Sequence, residues 1–438
     1  MKVSKFGGSS LANAAQFQKV KNIVLSDPSR EIVVVSALGR ENSADHKITD
    51  LLYLTHAHLT YGVSVDEIFE EIRQKHLSVQ QALGLDFDLE GELSKIRQGL
   101  RKNMDIDELV SRGEYLSASL MAAYLGYHFV DAKEVICIQY DGQIDTEKTY
   151  EKIRELYKQY TRLVIPGFYG ILPNGKIKVM SRGGSDITGS LVAAALGAKV
   201  YENWTDVSGI LMADPRIVPT AKPINKLTFA ELREMAFMGA SVLHEESIQP
   251  VKDKNIPLNI RNTNEPDHPG TLILNTIDEE SNKAHFITGV TGRQDFTVLS
   301  VYKEHIAKSP QVIREVLEIL EHFECPLEHL TMGIDSFTVV AATANIKERL
   351  YDIIADIKKQ VLPDKVVIEE DLALIAVVGR RMKETPGVSG KLFSTMGQNS
   401  INIRMIAQGT DEISIIVGIS NADYTKTIQV LYDKFVGQ

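Results

Sequence analysis

The sequence predicts an α/β protein with a largely parallel sheet, helices on both of its faces, and a duplicated α+β tail. Two observations carry this. Up to about residue 275, β-branched runs alternate with helix-patterned ones, the order that layers helices over a parallel sheet. Beyond a turn-rich stretch, the sequence then repeats itself at a fixed offset.

In chain order, Met1-Lys2-Val3 leads into KFGGSS (5–10) and the helix-patterned LANAAQFQKVKNIVL. EIVVVSAL (31–38), RLVIPGFYG (162–170) and AKVYENWTDV (198–207) are strand-like runs closed by glycine or turn residues. ADHKITDLLYLTHAHL and EYLSASLMAAYLG carry helical periodicity, and the charged stretch 64–110, poor in β-branched residues, predicts a helical lobe over one edge. Residues 262–286 gather Pro, Asn, Asp, Glu and Gly and predict a linker. After it, Pro310 aligns with Pro386, Val312 with Val388, Val316 with Leu392, Leu327 with Ile403 and Gly333 with Gly409, every pair 76 positions apart. FTVLSVY and LALIAVVG open the two copies, so each reads strand, proline-started helix, two strands, helix. Two copies are too few for a solenoid and predict a paired module.

Bulk properties narrow the function classes. At 438 residues the chain is too long for one core, and two or three domains are expected. A formal charge of −10 argues against nucleic acid or an acidic membrane face as partner, because both need a basic surface. A small anion remains compatible, since a nest of amides and one lysine can bind phosphate on an acidic protein. Cys137 and Cys325 are far apart in apolar surroundings, which suggests free thiols and a reducing cytoplasm. No signal peptide is expected at the start, and the longest apolar runs, such as 372–378, are far shorter than a membrane span.

Several short motifs carry candidate chemistry. KFGGSS is not a Walker A loop, because its lysine precedes the glycines. Alone it reads equally as a strand-to-helix turn or as a phosphate cradle, with Lys5 as cation and Gly7 and Gly8 admitting close backbone approach. SRGGSD (181–186) has the same plan before the helix LVAAALGA: Arg182 offers a planar fork, and Ser185 or Asp186 can cap the helix. The two loops are harder to dismiss together than either is alone. In WTDVSGILMADPRIV (204–218), Thr205 and Asp206 suit a ribose or base edge and Arg216 suits phosphate, although a surface loop explains the segment equally well. Glu114 is ambiguous, since an acid just before an apolar helix is more often a cap or a solvated face than a ligand for an ammonium group. His56 and His58, two apart, point away from each other, and DFDLEGE (86–92) reads as a solvated acidic turn. No Ser-His-Asp signature or cysteine nucleophile stands out.

Taken together, KFGGSS, VVSA, SRGGSD, WTDVSGI, DPR and VLH stand in the order and spacing of the aspartokinases, and the tail resembles the paired ACT domains of that family. The resemblance covers essentially the whole chain. It implies an amino-acid-kinase fold, a carbamate-kinase-like three-layer αβα sandwich, over residues 1–283. It implies two ferredoxin-like ACT units over 284–438, the first about 296–365 and the second about 286–295 plus 370–438. The implied reaction moves the γ-phosphoryl group of ATP, with Mg2+, to the side-chain carboxylate of L-aspartate. The product is 4-phospho-L-aspartate, the first intermediate toward lysine, threonine and methionine. Such a carboxylate, with a pKa of about 3.9, is already ionised at pH 7, so positioning and charge neutralisation suffice without a general base.

By the same resemblance, Lys5 stabilises the transferring group and Asp186 organises Lys5 or the metal, with no protein metal ligand assigned. Gly7, Gly8 and Ser9 contact the nucleotide phosphates, and Thr205, Asp206 and Arg216 hold the nucleotide. Ser36, Thr49, Glu114, Phe168, Arg182 and Ser185 fall at aspartate-binding positions, Arg182 clamping the α-carboxylate and Glu114 meeting the ammonium. Ile306, Ser309, Val312, Ile313, Leu327 and Glu328 lie where lysine-sensitive relatives hold the inhibitor, and Pro326 removes an amide many of them use. Lysine, threonine or both are the implied effectors, acting on a homodimer or homotetramer joined through the ACT domains. Where the family commonly has lysine and proline, this chain has Ser241 and Glu245. That departure keeps two alternatives open: a non-catalytic amino-acid sensor, and a kinase for another small acid such as glutamate. Fusion to homoserine dehydrogenase is not expected for a chain ending at Gln438.

Overall fold

The sheet that carries the glycine loops is built around the chain's first strand. The computed structural model describes all residues except 181–182, 240–242, 244, 278–286, 383–384, 410–412 and 438. The chain divides into two compact units. The first comprises Met1–Ile210, Pro223–Ala236 and Ser241–Asp278, and the second Leu211–Lys222, Phe237–Ala240 and Glu279–Gln438.

In the first unit, the strands are β1 (Lys2–Phe6), β2 (Arg30–Val35), β3 (His128–Phe129), β4 (Leu163–Pro166), β5 (Tyr169–Ile171), β6 (Ile177–Val179), β7 (Tyr201–Thr205), β8 (Lys226–Thr228), β9 (Leu258–Asn262) and β10 (Thr271–Leu274). Eight of them form one sheet in the order β3-β4-β2-β1-β7-β9-β10-β8, and β5 and β6 pair separately. From β3 to β9 every pairing is parallel, and β10 turns antiparallel to β9. β1 has β2 on one side and β7 on the other, so the strand order reverses beside it. In open α/β sheets that switch point, outside the carboxyl ends of the strands, is where ligands bind.

The helix Ala14–Ser26 shows how the layers form. The Asn13 side chain accepts a hydrogen bond from the Gln16 amide at 3.1 Å, and Phe17, Val20, Ile23 and Val24 make one apolar face. That face packs in a core with Phe6, Val33, Val35 and Trp204 of the sheet. The stretch 64–110 is a lobe of helices, Asp66–Leu83, Leu89–Gly99 and Ile106–Val110. DFDLEGE is more than a turn: the Asp88 side chain accepts from the Gly91 amide at 2.9 Å and starts the second of these helices.

Two further expectations are corrected. RLVIPGFYG is two strands, broken where the Gly167 amide bonds the Val35 carbonyl (2.9 Å) and Phe168 takes a left-handed φ of 81°. The expected linker 262–286 contains β10, because Thr271 and Ile273 are buried and the strand pairs with both β9 and β8.

In the second unit, β11 (Gly289–Tyr302) and β14 (Lys365–Val378) are long antiparallel neighbours at the centre of a six-stranded sheet. The others are β12 (His329–Met332), β13 (Ser336–Ala342), β15 (Met405–Gln408) and β16 (Ser414–Ser420), in the order β12-β13-β11-β14-β16-β15. Helices Pro310–His322 and Leu350–Gln360 belong to the first copy of the repeat, and Val388–Gln398 and Tyr424–Phe435 to the second. Pro310 starts its helix, whereas Pro386 does not: Gly387 adopts φ 91° and the helix begins at Val388. Val316, Ile319, Leu320, Ile353 and Ile357 pack on Leu299, Val301, Phe337 and Val339 in the core of the first copy.

Candidate active site

Lys5 lies near the carboxyl end of β1, 8% exposed, and its Nζ stands 2.6 Å from Asp186 Oδ1. Asp186 sits in the first turn of the helix Gly184–Leu196, and Asn203 Nδ2 donates to the same Oδ1 at 2.8 Å. The Tyr201 hydroxyl donates to the Asp186 carbonyl at 3.1 Å, so both ends of the residue are held from β7. A carboxylate so anchored fixes the position of a largely buried lysine ammonium, so that a bound anion meets a pre-placed cation.

Glycine amides line the space beside this pair. The Gly7 amide bonds the Trp204 carbonyl at 3.0 Å, and a 3-10 turn, Gly8–Leu11, carries Ser9. Gly8 and Gly39 are in backbone contact: the Gly39 amide donates to the Gly8 carbonyl at 3.0 Å, and a Cβ at Gly8 would lie 3.1 Å from the Ala37 carbonyl oxygen. Side chains at these positions would push the two strand-end loops apart.

Glu114, in the first turn of the helix Arg112–Leu125, is buried against the next loop, and the Ala37 backbone donates a hydrogen bond to it. Burial pushes its carboxyl up to about 8, and its Oε2 has no hydrogen-bond partner among the described residues. An acid held dry with one open oxygen is equipped to receive a cation.

Ser36 is half-buried at the end of β2, its amide bonding the Phe6 carbonyl at 3.2 Å, and Thr49 is in the first turn of the helix Ile48–Tyr61. Phe168 holds its left-handed backbone with its amide on Thr188 Oγ1 at 3.2 Å, and Ser185 is buried where a Cβ at Gly167 would approach its own Cβ to 2.6 Å. Strain of this kind in a non-glycine residue is a mark of a functional loop. Glu114 thus bonds Ala37, which lies beside Gly8, while Lys5 pairs with Asp186, the chain neighbour of Ser185. Arg182, Ser241 and His244 lie outside the described residues.

The nucleotide candidates are less gathered. Thr205 ends β7 and its hydroxyl donates to Asp206 Oδ1 at 3.1 Å. Arg216 belongs to the second unit and is paired with Asp214, Nη2 to Oδ2 at 2.6 Å, with its side chain 88% exposed. Among the effector candidates, Ile306 is core, while Val312, Ile313 and Leu327 pack at the edge of the same cluster. Ser309 precedes the helix that starts at Pro310, and Glu328 is ion-paired to Arg293 at 3.1 Å. His56 and His58 bond the carbonyls of Met104 and Ser64.

Sequence reasoning missed Asn203 and Gly39. The signal for Asn203 was present: a polar residue inside a strand, in register with Lys5 across the β1–β7 pair. Gly39 followed a strand-like run and gave no sign of its contact with Gly8.

A lysine held by an acid among glycine amides, at the switch point of a parallel sheet, is the equipment of a small-molecule kinase. Comparison with known proteins narrows the class. Residues 1–262 match the amino acid kinase family and residues 375–435 match an ACT domain. The chain is 33% identical to Aspartokinase 3 of Bacillus subtilis, over 99% of this chain and 98% of that one. Its fold is similar to the aspartate kinase of Clostridium acetobutylicum, with a TM-score of 0.91 at 44% identity and 99% of both chains covered. It is also similar to Escherichia coli aspartokinase III, solved with aspartate and ADP in an R-state (TM-score 0.79, 26% identity, 100% of both chains covered). The same enzyme solved with lysine and aspartate in a T-state gives a TM-score of 0.78 at 27% identity, covering 100% of this chain and 99% of that one. The chain belongs to the aspartokinases, within the amino acid kinase family. It is a kinase that phosphorylates aspartate, with a regulatory ACT region.

Proposed function

We propose that this aspartate kinase transfers the γ-phosphoryl group of ATP at the cleft between Lys5 and Glu114. An oxygen of the aspartate side-chain carboxylate forms the new bond to phosphorus as the bond from the γ-phosphorus to the bridging oxygen breaks, and ADP leaves with the electron pair. The observation that carries this is the Lys5–Asp186 pair beside Gly7 and Gly8. Lys5 neutralises the equatorial oxygens, Asp186 and Asn203 position Lys5, Gly7 leaves room for the phosphates to approach the backbone, and the amides of Gly8 and Ser9 face them. Glu114 receives the substrate ammonium through its open oxygen, and Arg182 takes the α-carboxylate. Ser36, Thr49, Phe168 and Ser185 shape the aspartate pocket, and Thr205 and Asp206 hold the nucleotide. Mg2+ fits as an ion carried on the ATP phosphates, with Asp186 a carboxylate beside Lys5; bound there it would neutralise phosphate charge.

Regulation completes the reading. Lysine is the effector the first ACT unit suits best, because a cavity of about 780 Å³ opens at Pro326 and Leu327 and Glu328 follows directly. Threonine is the comparison ligand. A homodimer or homotetramer would join through the edge strands β12 and β15, where Leu330, Met332 and Ile406 are exposed. The setting would be the cytoplasm; no described helix is long and apolar enough to cross a membrane.

The test is aspartate-dependent ADP release. Lys5→Ala is expected to lower kcat by at least about 10²-fold, the scale of losing one preorganised electrostatic contact, in protein that stays folded at the assay temperature but melts lower because Asp186 loses its ion-pair partner. Near-normal turnover in folded Lys5→Ala protein would overturn the assignment.

A further inference from the structure

Arg293 stands where three parts of the second unit meet. It is the last residue of the β11 segment that pairs with the later half of β14, just before the register shifts between Arg293 and Phe296. Its Nη1 donates to Glu328 Oε1 at 3.1 Å and also to the carbonyl of Phe237 at 3.4 Å. One nitrogen therefore uses its two hydrogens on two different segments. The contact with the 237–239 segment is built in: a Cβ at Gly239, whose φ is 104°, would lie 2.8 Å from Arg293 Cγ, and Thr291 Oγ1 donates to the Met238 carbonyl at 3.1 Å. Glycine is required there on both counts. Glu328, for its part, has a buried Oε2 with no partner among the described residues.

We infer that Arg293 is a positioning residue for feedback inhibition, passing effector occupancy at Glu328 to the 237–239 segment that runs directly into residues 240–244. This rests on the effector reading given under Proposed function. An amino acid carrying a side-chain ammonium takes the open Oε2 of Glu328, and the carboxylate then serves two cations. Its hold on Arg293 weakens, and the guanidinium turns to its other acceptor, the Phe237 carbonyl. The backbone of 237–239 is thereby held differently in the two states, and that segment is covalently continuous with the kinase chain on both sides. A two-state contact biased by the ligand is what coupling between distant sites requires.

The experiment uses full-length protein, with lysine as the probe. Lysine binding is measured by calorimetry, and inhibition as the ratio of activity with saturating lysine to activity without it, in wild type, Arg293→Gln, Arg293→Lys and Glu328→Gln. Arg293→Gln is expected to bind lysine within about threefold of wild type while inhibition at saturation falls about tenfold. Arg293→Lys keeps the charge but lacks the planar guanidinium fork that meets both acceptors from one fixed group, and is expected to stay uncoupled. Hydrogen exchange in 237–239 should respond to lysine in wild type and not in Arg293→Gln. Wild-type inhibition in Arg293→Gln would overturn the inference, and so would complete loss of lysine binding, which would make Arg293 part of the binding site. Failure of wild type to bind lysine, or full binding by Glu328→Gln, would overturn the effector reading itself.

Discussion

Glu114 carries its proton at neutral pH in the free protein, because burial raises its carboxyl to about 8. In the proposed site a substrate ammonium needs the ionised form, so if Glu114 receives it, aspartate binding below pH 8 expels a proton. Apparent aspartate affinity should therefore rise with pH, by up to about tenfold per unit between pH 6.5 and 8, and level off above. The sign for stability is opposite. A folded value above the unfolded one stabilises at low pH, and the contribution is lost as pH rises through about 8. Glu114→Gln should flatten both trends, with weaker aspartate binding and a melting temperature less sensitive to pH between 5 and 9. Parallel KM profiles for the two proteins would remove Glu114 from the ammonium site. Nothing in the sequence revealed this state. An acid in the first turn of a helix is ordinary, and the burial of Glu114 depends on a close approach to a distant loop: at the neighbouring Gly113 a Cβ would lie 3.0 Å from the Ala37 methyl group. Lys5 and Asp186 were legible because glycine pairs flagged the loops that hold them.

Among the elements, the helix Asp66–Leu83 holds a comparable buried group. His76 is fully buried, its Nδ1 2.8 Å from the Ile72 carbonyl and its Nε2 without a partner among the described residues. Burial, with Lys75 nearby, lowers its pKa from 6.5 to about 4. The folded protein thus keeps this imidazole neutral while the unfolded chain protonates. Stability from this site is present above pH 6.5 and lost as pH falls through 6.5 toward 4, by about 3 kcal/mol in all. Urea unfolding of wild type and His76→Leu at pH 7.5 and 4.5 checks it: wild type should lose about 2–3 kcal/mol more than the variant, and equal losses would refute the assignment. The repeat shows what periodicity reveals and what it hides. The 76-residue offset announced two copies, but each opening strand is half of a 14-residue strand shared by both. The crossing points are Asp295 and Asp371, 76 positions apart, both at φ 66°. Aspartate tolerates that conformation, yet a lone aspartate in a strand-like run is also an ordinary edge residue, so the shared strands could not be read in advance.

At the scale of the molecule, the second unit is not a simple C-terminal appendage, because it includes residues 211–222 from within the kinase stretch. Composition gave no hint of this, since Asp214-Pro215-Arg216 reads as any surface turn. The segment is bonded into the regulatory sheet and its last helix. The Val290 amide donates to the Met212 carbonyl at 2.7 Å, the Lys222 amide to the Tyr432 hydroxyl at 2.9 Å, and Lys222 Nζ to the Val436 carbonyl at 2.9 Å. Tyr432 and Val436 are both only 3% exposed. A fragment of residues 287–438 contains all six strands of the regulatory sheet and should fold, but without this segment. With Gln429 Nε2 on the Ile217 carbonyl and the Tyr432 hydroxyl on the Thr220 carbonyl, five hydrogen bonds at about 1 kcal/mol each, plus newly wetted apolar surface on the last helix, amount to about 5–7 kcal/mol. The fragment should therefore unfold at a distinctly lower urea concentration than a version with 211–222 restored through a flexible linker. In that restored version Tyr432→Phe should remove about 2 kcal/mol of the gain, by leaving the Lys222 amide without its acceptor and the Thr220 carbonyl without its donor. If the fragment and the restored version unfold at the same urea concentration, the 211–222 segment contributes nothing to the regulatory unit, and its hydrogen bonds there are incidental to its stability.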